Sequence, residues 1–150
     1  DEIVLPLVET YDPEVLVLQC GADALNDDPL SRMELTNGAI WRAVAKVAAR
    51  VPRMLVTGGG GYNPWSVARC WSGVWATLND HAVPEPLPAA AVVVLRDLTW
   101  NRAGGRSPPD HWFREMMDAT DKRAVRRAIR DLVSDAHDIY VKNEDNLSIC

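Results

Sequence analysis

Cysteine is scarce in this chain of 150 residues: Cys20, Cys70 and Cys150 stand far apart, and no Cys-x-x-Cys occurs. That spacing excludes a cysteine-rich zinc module, argues against a disulfide framework and fits a reducing compartment, the cytoplasm. Positive charge is also in short supply. Sixteen Lys and Arg face 21 Asp and Glu, a net charge of −5, so broad attraction to nucleic acid or anionic lipid is not expected. No apolar run approaches the roughly 18 residues that a membrane-spanning helix needs. Internal repeats and low-complexity tracts are absent. So are an initiating methionine and a basic leader: Asp1 leads straight into the apolar pattern Ile3-Val4-Leu5-Pro6-Leu7-Val8, and the expectation is a chain cut from a longer one.

What is present is ordinary for a globular protein, 47% hydrophobic and 25% charged. Residues 2–10 read as the end of a helix, closed by a turn at Tyr11-Asp12-Pro13. Residues 15–20 (VLVLQC) form a near-continuous apolar run, the pattern of a strand buried on both faces. After a loop rich in Asp, Asn and Pro, Thr36 or Asn37 can cap a helix running to about Arg50, with Ile40, Trp41, Val44, Val47 and Ala48 on one face. Residues 53–57 (RMLVT) read as a second buried strand. Asn63 is a natural N-cap with Pro64 at the first helical position. The helix that follows, 64–79, is apolar nearly all round and is expected to be buried, with Arg69 either reaching solvent along its stem or needing a partner. Strand, helix, strand, helix with short links predicts an α/β fold, a parallel sheet flanked by helices. Residues 1–80 are read as its core. Residues 81–150 are read as a C-terminal helical extension of the same domain, with a stiff link at Pro84, Pro86 and Pro88 and helices over 89–98 and about 121–141. In the last, Val125, Ala128, Ile129, Leu132 and Ala136 are expected to face inward.

Two loops carry the chemistry. One follows the first strand (Cys20-Gly-Ala-Asp23), the other the second, where four consecutive glycines precede Tyr62 in MLVTGGGGYNPW. In open parallel sheets the ligand site lies beyond the carboxyl ends of the strands, where both loops sit. A carboxylate and a phenol converging there suggest a metal ligand or general base beside a hydroxyl able to donate to an oxyanion. Other readings stay open. A Gly-rich loop can bind nucleotide phosphates, although neither the G-x-x-x-x-G-K-S/T nor the G-x-G-x-x-G spacing fits. Asp23 could cap its turn, and Asp27-Asp28-Pro29 reads as a turn rather than a catalytic carboxylate pair.

The stretches LVLQCGADALNDDPLSRMELT and MLVTGGGGYNPWSVARCW resemble the C-terminal half of the zinc-dependent deacetylase superfamily, in register across residues 15–75. That superfamily holds histone deacetylases, bacterial acetoin-utilisation proteins and acetylpolyamine amidohydrolases. LRDLTWNRAGGRSPPDHWF is most similar to the acetoin-utilisation branch. The resemblance implies an arginase–deacetylase fold, with Asp23 as one of three protein ligands of a catalytic zinc. It further implies that Tyr62 binds the acetyl carbonyl and holds the oxyanion, that Leu30 lines the acyl-lysine tunnel, and that the glycines lie at the floor of the site. The implied substrate is acetyl-lysine or a small N-acetyl amine. Ser31 departs from the glycine that often follows Pro-Leu. The family's Asp-x-His ligand pair and paired histidines would lie upstream of residue 1; His81, His111 and His137 match none of them and are expected to be surface or structural. A nucleotide-binding module and a non-catalytic acyl-lysine binder on the same fold remain the competing classes.

Overall fold

Two parallel strands, β1 (Leu16–Cys20) and β2 (Met54–Gly58), pair in register from Leu16 opposite Met54 to Cys20 opposite Gly58. The loops that follow them therefore leave the sheet at the same level and on the same edge. The computed structural model from which this is read describes residues 1–119 and 124–142.

Helix α1 (Val4–Tyr11) ends at Asp12, which takes a left-handed conformation just before Pro13. Helix α2 (Asn37–Ala48) links the strands, and Thr36 Oγ1 caps it by accepting from the Ala39 N–H at 3.3 Å. Helix α3 (Pro64–Leu78) opens as its sequence dictates: Asn63 Oδ1 accepts from the N–H groups of Trp65 and Ser66 at 3.1 and 3.4 Å, and Pro64 holds the first position. Among the described residues, α4 (Ala89–Asp97), a short 3-10 turn at Ala103–Gly105, α5 (His111–Arg114) and α6 (Arg127–Tyr140) follow.

The core lies on one side of the sheet. Cys20, with Leu18 and Val56, meets Trp41 and Val44 of α2, Val74 of α3 and Met116. A Cβ on Gly73 would overlap the Trp41 indole, so the two helices touch at that glycine. The opposite sheet face is different: Val17 and Leu55 are 65% and 57% exposed. The expectation of strands buried on both faces is corrected here, because α2 and α3 cover only the side of Leu18, Cys20 and Val56. The same correction applies to α3, whose Trp71, Trp75 and Leu78 are exposed while Trp65, Cys70 and Val74 are buried. Burial of Cys70, with the Asp118 charge adding to it, pushes its thiol up to about 12 and keeps it protonated and inert at neutral pH.

Arg69 does not reach solvent. It is 2% exposed and pairs with Asp118 at 2.8 Å, while its Nη1 donates to the Glu115 carbonyl at 3.3 Å. Asn37 completes the junction. Its backbone N–H donates to Asp118 Oδ2 at 2.8 Å, its Nδ2 donates to the Met116 carbonyl at 2.8 Å, and its Oδ1 accepts from the Asp118 N–H at 2.9 Å. Residues 115–118 are thereby fastened across the start of α2 and the second turn of α3. A second cluster seats α4 and α5 on the first turn of α3: Trp65 stacks on Trp112 at 5.3 Å, meets Phe113 edge-on at 5.9 Å, and donates from Nε1 to the Leu95 carbonyl at 2.8 Å.

The last helix departs from expectation in start and burial. It begins at Arg127; residues 120–123, where the expected start falls, lie outside those described. None of its residues is buried, and Val125, just ahead of it, Ile129 and Leu132 are 59%, 44% and 63% exposed. The apolar period is there, but among the described residues no element packs along its length. No helix among them is long and apolar enough to cross a membrane.

Candidate catalytic edge

The two loops meet backbone to backbone. The Ala22 N–H donates to the Gly60 carbonyl at 2.6 Å, directly joining the segment after β1 to the glycines after β2. Side chains would prevent this approach. A Cβ on Gly59 would stand 2.8 Å from Gly21 Cα, and one on Gly60 would overlap Asp23 Oδ2. Gly61 has φ +150°, a conformation that disfavours any side chain, and a Cβ there would stand 2.5 Å from Val67 Cγ2. The glycine run exists to let the first loop press against it.

Asp23 is exposed, and its carboxylate lies against Gly60. Among the described residues it takes no hydrogen bond and no ion pair, so it does not cap its own turn. That task falls to Asp28, whose Oδ1 accepts from the Leu30 N–H two residues on, at 2.9 Å. An aspartate oxygen already occupies the space over Gly60. Repulsion by that carboxylate disfavours a phosphate on the same backbone.

Tyr62 is 45% exposed, with its backbone N–H donated to Asp28 Oδ2 at 2.6 Å. Leu30 is 57% exposed. The aspartates read as a plain turn are therefore clamps. Asp28 is 5% exposed and grips both loops, and the Asp27 carbonyl accepts from Asn63 Nδ2 at 2.9 Å. On the outer side, Trp112 Nε1 donates to Asp27 Oδ2 at 2.6 Å, with His111 Nε2 at 3.7 Å from the same oxygen. Sequence reading missed this role because the partners are 34 and 85 residues away. The available signal was a pair of carboxylates in the loop after one strand and, in the loop after the other, a Tyr-Asn pair just before a helix start, where backbone N–H groups need acceptors. His81 instead stacks on Trp75 at 5.0 Å, and His137 sits beside Asp138 at 3.9 Å on α6.

A free carboxylate at the sheet edge is a chemically suitable oxygen donor for zinc. Among the described residues no three His, Cys, Asp or Glu gather as a metal site. A catalytic zinc takes three protein ligands and keeps one position open. Asp23 fits as one donor of such a set and does not make the set by itself.

Comparison with known proteins places this edge in context. A model of the histone deacetylase domain matches residues 1–78, which include both loops. Histone deacetylase 9 of Arabidopsis thaliana is 41% identical over 86 residues, 57% of this chain and 20% of that protein. Probable histone deacetylase 1-B of Xenopus laevis is 37% identical over 86 residues, 57% of this chain and 18% of that protein. Among solved structures, an HDAC homologue from Aquifex aeolicus aligns with a TM-score of 0.75 and 30% identity, over 91% of this chain and 37% of its own. An HDAC homologue complexed with SAHA aligns with a TM-score of 0.71 and 28% identity, over 88% of this chain and 37% of its own. The chain thus spans about a fifth of the length of these two curated relatives. The expected arginase–deacetylase fold, a parallel sheet flanked by helices, is the fold of these neighbours, present here as a partial domain.

Proposed function

This chain belongs to the histone deacetylase domain family, and from that premise we propose that it supplies one side of the catalytic edge of a zinc-dependent deacylase of the acetoin-utilisation type. The observation that carries the reading is the Ala22–Gly60 hydrogen bond, which brings an unpartnered carboxylate and an exposed tyrosine to one sheet edge. In the complete domain, Asp23 is one of three zinc ligands, and the other two come from sequence outside these 150 residues. Bound zinc supplies Lewis-acid polarisation of the acetyl carbonyl and a water of lowered pKa. Tyr62 donates its hydroxyl to the oxygen on which negative charge develops as the amide carbon becomes tetrahedral. Leu30, exposed on the same edge, forms an apolar wall for the alkyl stem of acetyl-lysine or of a small N-acetyl amine. The general base and acid are also supplied from outside this chain.

Residues 1–80 then form the core of the site, and the described residues after them, 81–119 and 124–142, a helical extension bracing it through Trp112. The acidic balance fits a protein that works on an acylated amine without contacting nucleic acid. Among the described residues, the free, buried Cys20 and Cys70 suit a reducing cytoplasm.

This reading makes the 150-residue chain catalytically silent by itself. Purified alone, it is expected to hold no stoichiometric zinc and to release no acetate from an acetyl-lysine peptide. The complete domain, assayed alongside, is expected to do both. Turnover by the isolated chain that scales with its concentration would mean that the catalytic set is here after all. A complete domain that binds the peptide without releasing acetate would favour the acyl-lysine binder.

A further inference from the structure

Asp23, Asp27 and Asp28 share one loop, and only Asp28 is buried. Its two oxygens have separate duties: Oδ1 accepts from the Leu30 N–H at 2.9 Å, and Oδ2 accepts from the Tyr62 N–H at 2.6 Å. We propose that Asp28 is a positioning residue that holds the oxyanion donor Tyr62 and the tunnel-wall residue Leu30 in one rigid frame. The inference rests on the roles given above to Tyr62 and Leu30.

Neither of those side chains is fixed by burial, since Tyr62 is 45% and Leu30 57% exposed. Tyr62 also follows Gly61, a residue whose backbone has wide conformational freedom. What sets the direction of the phenol is therefore the anchoring of its own backbone. Asn63, the next residue, is held by Nδ2 to the Asp27 carbonyl and caps α3 with its oxygen. Tyr62 is thus fastened at its N–H by Asp28 and at its following residue by Asp27.

The chemistry requires a carboxylate. Two N–H donors converge on two acceptor oxygens, and hydrogen bonds to an ionised acceptor are about twice as strong as neutral ones. An asparagine presents one oxygen and one NH2, so one of the two N–H groups would face a donor and lose its bond. Releasing Tyr62 displaces its hydroxyl, and misplacement by about 1 Å can cost on the order of 100-fold in rate. Releasing Leu30 changes how the substrate stem is held, whether or not the hydroxyl is present.

The test is a double-mutant cycle in the complete zinc-loaded domain, with Asp28→Asn, Tyr62→Phe and the pair assayed on an acetyl-lysine peptide. Asp28→Asn is expected to lower kcat roughly 10- to 100-fold at unchanged zinc stoichiometry. In the Tyr62→Phe background the same change should alter kcat by less than about twofold, because the group it positions is gone. The rise in KM from the Leu30 arm should appear in both backgrounds. A kcat loss of equal factor in both backgrounds, or no loss in either, overturns the proposal. If Asp28→Asn does not fold, Asp28→Glu takes its place in the cycle: it keeps the carboxylate but sets it one methylene too far out, and the same pattern of kcat losses supports or overturns the proposal. A fully active Tyr62→Phe would overturn the underlying reading of the site. A slow Tyr62→Phe with equal Asp28 effects removes the Asp28 proposal alone.

Discussion

Tyr62→Phe in the complete deacetylase domain is expected to lower kcat by roughly 100- to 1,000-fold, the loss usual for one oxyanion donor. The change removes a single oxygen. The ring stays, and so does the Tyr62 N–H bond to Asp28 Oδ2, because that bond belongs to the backbone. Global stability should therefore move little, and zinc content should not move at all, since the phenol is not a ligand. Steady-state kinetics on acetyl-lysine, beside metal analysis and a thermal melt, separate these effects. A phosphate-binding loop predicts the reverse pattern, with the glycine backbone binding and the hydroxyl incidental. Full activity in the mutant would reduce Tyr62 to a packing residue.

Asp23→Ala should have the opposite signature: loss of zinc with the fold intact. Removing one of three ligands removes most of the affinity for the metal. Yet Asp23 is exposed and takes no hydrogen bond among the described residues, and the Ala22–Gly60 bond that joins the loops uses backbone atoms only. With both proteins metal-free, its stability cost should stay within the roughly 0.5 kcal/mol typical of a surface substitution. Metal analysis after dialysis, together with a melting curve, decides the matter. Zinc retained at wild-type stoichiometry would show that Asp23 is not a ligand.

The two site loops were legible because their chemistry is local. A run of four glycines is disfavoured inside a helix or a strand, and only its first, Gly58, closes β2; Asn63-Pro64 marks a helix start by side-chain capping and a fixed φ. The strands followed from short continuous apolar runs, and the second and third helices from their caps and apolar faces, for the same reason. Burial was less legible. A continuous apolar stretch says nothing of what covers each of its faces, so Val17, Leu55 and Trp75 read as core and are exposed. The apolar stripe of α6 misled in the same way.

The clamps were invisible for a different reason. Asp28 looks like any turn aspartate until the chain brings Tyr62 to it across 34 residues. Arg69 looks like a solvent-reaching arginine until Asp118 arrives from beyond α5. Such pairings depend on tertiary approach, and no spacing rule within one element encodes them.

The most direct measurement of the central claim is anomalous scattering at the zinc edge from crystals of the complete domain. The account predicts one peak within about 2.0–2.2 Å of an Asp23 carboxylate oxygen, the usual zinc–oxygen distance, on the edge where Tyr62 stands. A fully loaded crystal with no zinc at Asp23, or with phosphate groups seated on the backbone of Gly59 to Gly61, would contradict it.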